Sequence, residues 1–165
     1  MGIIQFDKIT APEPEKLSDI EIKELYQSAF RLINKYCFAG ELPEIDIRPP
    51  KHRDTAGEKQ KALAYFSFDP ERKEKPYIVL QLDPYYSDPG SGITESDIGD
   101  LFHELIHYHC YLKQIEDTDT HDFHNLEFKR AVETHGGICE YSDDEIGYSD
   151  THLNADTLHR IFNEI

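Results

Sequence analysis

Apolar positions along the chain recur with a helical period in four stretches and cluster or alternate at strand length in three others, with polar breaks between them. The first helical stretch begins at Ser18, where Glu21 three residues on completes a capping-box pattern. Ile22, Leu25, Tyr26, Ala29, Leu32, Ile33 and Tyr36 then follow on one face, and Gly40 lies just past its end. In "LPEIDIRPP" Ile45 and Ile47 alternate with charged residues before Pro49 and Pro50, which predicts a short strand near a sheet edge. "HRDTAGEKQK" reads as a polar loop. "ALAYFSFD" and "PYIVLQLD", separated by the charged turn "PERKEK", read as an antiparallel hairpin, the second strand alternating Leu80 and Leu82 with Gln81. "PYYSDPGSG" is a loop. Thr94 with Asp97 opens the next helix, whose Ile98, Leu101, Phe102, Leu105 and Ile106 form a core-facing stripe extending to about Lys113. After the polar break "EDTDTHD", "FHNLEFKRAVETH" is a further helical stretch stopped by Gly136 and Gly137, and "NADTLHRIFNEI" forms a terminal helix.

This order predicts an α+β single domain over residues 1–165. It has an N-terminal helix, a small, mostly antiparallel sheet of about three strands, and two consecutive helices, with a core over about 18–137 and a C-terminal extension over 138–165 that carries a helix. A length of 165 residues suits one core. Composition adds constraints. The 33 acidic residues outnumber 17 basic ones for a net charge of −16, which repels a bare phosphate backbone, so direct DNA binding is not expected while a DNA-associated protein substrate remains compatible. Cys37, Cys110 and Cys139 are odd in number and widely spaced, which suits a reducing compartment and neither a disulfide framework nor a cysteine zinc site. With no leader-like N-terminus and no long apolar window, the expected location is cytoplasmic, without membrane insertion.

The chemistry concentrates in "GDLFHELIHYHCYLK". His103 and His107, four residues apart, project from one face of a helix, separated by about 40° and one turn, which lets both bind one Zn²⁺. Glu104 lies about 60° around from His107, within reach of a water at the metal but not a ligand to it. A chance HExxH is expected roughly one time in twenty in a chain so rich in His and Glu, so its position on a core-anchored helix is what gives the motif weight. A catalytic zinc takes a third protein ligand. His109 points to nearly the opposite side of the helix, whereas His121, His124, Glu127 and His135 remain open, His124 and Glu127 sharing a face of the following helix. The metzincin pattern is excluded, because the positions requiring Gly and a third His hold Cys110 and Lys113. "DTDTHDFHNLEF" fails the calcium-loop pattern, having Asp122 where Gly and Phe128 where Glu are required, so this cluster and "EYSDDE" read as solvated loops.

"HELIH" followed by "HNLEF" resembles the SprT-like (Spartan-like) zinc metallopeptidases, and "LYQSAFRLINKYCFAGELPEIDI" resembles that family's opening helix and its lead-in to the first strand. The resemblance covers about residues 20–137. It implies a zincin-like fold, Zn²⁺ as cofactor, His103, His107 and His124 as ligands, Glu104 as general base, and a protein or peptide substrate. Asn125 stands where the family usually has Gly, and Asn accepts the left-handed backbone such a Gly would supply. Glu127 is the alternative third ligand; otherwise it is a surface charge or a support to the site. His135, Tyr141 and Tyr148 lie downstream as groups able to approach a reacting oxyanion. The competing functional reading is a zinc-containing binding or adaptor protein, associated with nucleic-acid complexes, that retains HExxH without proteolysis.

Overall fold

In a computed structural model, the described residues are 17–48, 64–68, 75–80, 92–142 and 147–165. The loops at "HRDTAGEKQK" and "PERKEK", most of "PYYSDPGSG", and the Gln81–Leu82 end of the second hairpin strand lie outside them, apart from Lys75 and Gly92.

Helix α1 spans Asp19–Cys37. Its capping box closes as the spacing predicts: the Glu21 amide donates to Ser18 Oγ at 3.4 Å and the Ser18 amide to Glu21 Oε2 at 2.8 Å. The helix ends in a turn fastened by the buried Asn34. Its Nδ2 donates to the Leu42 carbonyl at 2.9 Å and its Oδ1 accepts from the Leu42 amide at 3.1 Å, which satisfies a polar group that would otherwise be stranded in the core.

The chain next enters β1 (Asp46–Arg48), β2 (Ala64–Ser67) and β3 (Tyr77–Leu80), ordered β1-β3-β2. β2 and β3 are antiparallel, with Phe66 opposite Ile78. β1 is an edge strand but runs parallel to β3, Ile47 opposite Ile78. The three-stranded sheet is therefore mixed rather than mostly antiparallel. β2 turns back on the far side of β3, so the chain returns to β1's direction in the central strand, whose Ile78, Val79 and Leu80 are all buried.

Helix α2 (Glu95–Lys113) follows, capped reciprocally by Thr94 and Asp97 and closed by Gln114 in the left-handed region. It is the hub of the molecule, contacting α1, β2, β3 and the later elements α3 (Leu126–Thr134), β5 (Asp150–Leu153) and α4 (Ala155–Glu164). Its stripe residues Ile98, Leu101, Phe102, Leu105 and Ile106 are all fully buried. β4 (Gly137–Glu140) pairs with β5 in a second, two-stranded antiparallel sheet that no alternation in the sequence announces. At Gly137 the backbone presses against the Phe102 ring and Val132, where a Cβ would stand 2.6 Å from both. Cys139, Leu153 and Ile161, from the segment read as an extension, belong to the same buried cluster as α1 and α2. No helix among the described residues is long and apolar enough to cross a membrane.

Candidate metal centre

His103 and His107 lie one turn apart on α2, and His124 closes a triangle with them. The ring centroids are 5.0 Å (His103–His107), 4.9 Å (His103–His124) and 4.9 Å (His107–His124) apart. One ring nitrogen from each lies within 4.8 Å of the others, so the group can hold a metal ion. All three rings rest on one fully buried aromatic, Phe128, at centroid distances of 4.9, 4.8 and 4.3 Å.

His124 reaches this position differently from the expected placement on a helix. It lies in extended backbone before α3, bridged to Thr118 on one side and Gly147 on the other. Asn125 is the N-cap of α3, with φ −99° and ψ −173°, so it supplies no left-handed turn. Its side chain accepts from the Glu127 and Phe128 amides at 2.8 and 3.2 Å and donates to the Glu116 and Thr118 carbonyls at 2.8 and 3.0 Å. An Asn does what Gly cannot: it fastens the start of α3 to the preceding loop. That loop is an ordered hairpin. The Asp119 amide donates to the Phe123 carbonyl at 2.8 Å, the Asn125 amide to the Asp117 carbonyl at 3.1 Å, and Asp119 Oδ1 accepts from the His121 and Phe123 amides.

"EDTDTHD" is accordingly more than a solvated loop. His107 Nδ1–H donates to Asp117 Oδ2 at 2.7 Å, both side chains being largely buried. His103 Nδ1 meets Thr151 Oγ1 of β5 at 3.2 Å, and that hydroxyl can pass its own proton to the Ser149 carbonyl at 3.5 Å. Each contact fixes a tautomer and leaves Nε2 as the free donor, the usual support behind a ligating histidine. Burial, reinforced by the neighbouring His107 and His124, holds the His103 pKa well below the ordinary value, so it is neutral as a ligand must be. A tetrahedral metal with bonds of about 2.0–2.1 Å needs ligand nitrogens about 3.3–3.4 Å apart. His107 and His124 present Nε2 atoms 3.0 Å apart, which requires an opening of only a few tenths of an ångström. Three imidazoles form a donor set for zinc, copper, nickel or iron rather than for calcium or magnesium.

Glu104 is buried beside these rings without joining them. Burial pushes its carboxyl up to about 7, with Asp100 and Asp117 adding to the rise, while His107 and the Phe66 amide of β2 oppose it. An open cavity of about 680 Å³ exposes Glu104 and the three histidines and is bordered by Tyr65, Phe66, Asp100, Asp122 and Ser149. Asp100, one turn before Glu104, has its carboxyl raised to about 6 by burial and then by Asp97.

The other sequence candidates lie elsewhere. Glu127, the alternative ligand, is half exposed on α3 and pairs with Arg130, and His121 is exposed beside Asp119. His109 faces away from the triangle, against His135 and Phe38. His135, Tyr141 and Tyr148 are not among the residues bordering the cavity. Asp117, Thr151 and Gly147 had no signal in residue spacing, because their roles depend on how separate segments cross. No family model matches the chain, and neither a curated protein nor a solved structure matches it.

Proposed function

We propose that the chain is a zinc-dependent metallopeptidase of the SprT-like, zincin-like type, hydrolysing peptide bonds in a protein or peptide substrate. The observation that carries this reading is a buried carboxyl, Glu104, held next to three convergent histidines at the wall of an open cavity. His103, His107 and His124 would hold the metal. Zinc bound there supplies Lewis acidity, which makes water nucleophilic near neutral pH and polarises a carbonyl.

Glu104 accepts the proton of the attacking water and returns it to the leaving amine. A carboxyl whose proton affinity is raised by burial is matched to that exchange near neutrality. The Phe66 amide orients the carboxylate from the strand that borders the cavity. Asp117 and Thr151 hold the ligand rings in the tautomers that leave Nε2 free.

Glu104→Gln keeps the size of the side chain and removes its basicity. Peptide hydrolysis, followed on casein or on the protein itself, is expected to fall by about 10²–10⁴-fold while bound zinc stays at one equivalent at the triangle. If the variant binds zinc and keeps its biological effect undiminished, the chain acts instead as a zinc-containing binding protein. His124→Ala should lose the zinc bound at the triangle together with hydrolysis.

A further inference from the structure

On the side of α2 turned away from the triangle, His109 meets His135, the C-cap residue of α3, with ring centroids 4.4 Å apart at 67° and Nε2 atoms 3.3 Å apart. His135 is fixed three ways. Its amide bonds back into α3, its ring stacks on Phe38 at 4.3 Å, and its Nδ1 lies 2.9 Å from the Cys37 carbonyl at the end of α1. A carbonyl only accepts, so Nδ1 carries a proton, and the neutral form of the ring turns its Nε2 lone pair toward His109. A backbone carbonyl behind Nδ1 is the support commonly found behind a ligating imidazole.

The spacing, that of an imidazole–imidazole hydrogen bond, also fits a shared metal. Two nitrogens 3.3 Å apart subtend about 105–110° at a metal with bonds of about 2.0–2.1 Å, which is the tetrahedral angle. We propose that His109 and His135 form a second metal site, taking Zn²⁺ or another divalent cation that favours imidazole, such as Cu²⁺ or Ni²⁺. Water fills the remaining positions. With two fixed protein ligands the site is weaker than the triangle. A metal here ties the end of α3, itself bonded to the end of α1 through the Cys37 carbonyl, to the C-terminal part of α2, so its effect is on the docking of helices. The proposal does not depend on the peptidase reading.

The test is zinc stoichiometry by equilibrium dialysis with metal analysis, on the full chain at zinc up to about 1 mM. Wild type should take up two equivalents, the second more weakly, and His109→Asn should retain one. His103→Ala/His124→Ala should also retain one, which is lost when His109→Asn is added. Cobalt or copper spectra of the first double variant should carry the signature of nitrogen ligands. Saturation of wild type at one equivalent that His109→Asn leaves in place overturns the proposal, as does a second equivalent that survives His109→Asn. Because the wild-type and His109→Asn titrations suffice, the test stands even if the double variant does not fold. Failure of the triangle would appear separately, as loss of the tighter equivalent.

Discussion

Asp117 is one carboxylate whose effect on the centre can be isolated. Its 2.7 Å contact orients the His107 ring and increases the donor strength of its Nε2, whereas Thr151 gives His103 a neutral partner at 3.2 Å. Asp117→Asn should therefore weaken zinc binding by about 10–100-fold in competition with a chromophoric chelator. Thr151→Val should weaken it less; equal losses would remove charge as the reason. Residues tied by helical periodicity were legible in sequence: His103, Glu104 and His107 follow from their spacing and the buried stripe beside them. Asp117 was not, because its approach to His107 depends on a hairpin built from side-chain-to-backbone bonds at Asp119 and Asn125, which have no repeating pattern.

Among the elements, the segment leading into β5 holds His124 in place. Gly147 has φ +67°, and a Cβ there would stand 2.3 Å from the His124 carbonyl oxygen, which accepts the Tyr148 amide at 3.1 Å. Gly136, with φ +82°, has open space around it. Both alanine variants incur the left-handed penalty of about 1–2 kcal/mol, but only Gly147→Ala must also displace the third ligand. Thermal melts should show the larger loss for Gly147→Ala, and zinc titration should show weakened binding for that variant alone. If the two match in both measurements, the contact at His124 has no separate weight. The four helices were legible because caps and stripes are local signals. The β4–β5 sheet and the parallel β1–β3 pairing were not, since short strands of mixed exposure acquire direction from their partners rather than from their own alternation.

For the whole molecule, an excess of carboxylates makes buried acid a cost that depends on pH. Asp100 ordinarily titrates near 3.8 and in the fold near 6, so the folded chain binds its proton more tightly than the unfolded chain. Its burdening effect on the fold is absent below pH about 4, grows as pH rises through about 6, and is full above it. In metal-free protein, Asp100→Asn should raise the melting temperature at pH 8 by a few degrees and leave it unchanged at pH 3.5. A constant difference across that range would show that the carboxyl's charge is not responsible. Surface ion pairs such as Lys23–Asp46 and Arg31–Glu44 join well-exposed side chains and offset little of the acidic excess.

The shared seat of the three imidazoles on Phe128 bears on how a metal arrives. A side chain that must be immobilised on binding surrenders rotamer freedom worth roughly 0.5–1.5 kcal/mol. Here the rings pack tilted against one wall, and His103 and His107 are anchored from behind by contacts that need no ion, so that ordering cost falls on folding and not on capture. Uptake should then be quick, with an entropy set by released water rather than by stiffened protein, and selectivity should follow from a cage that resists reshaping to suit a different ion.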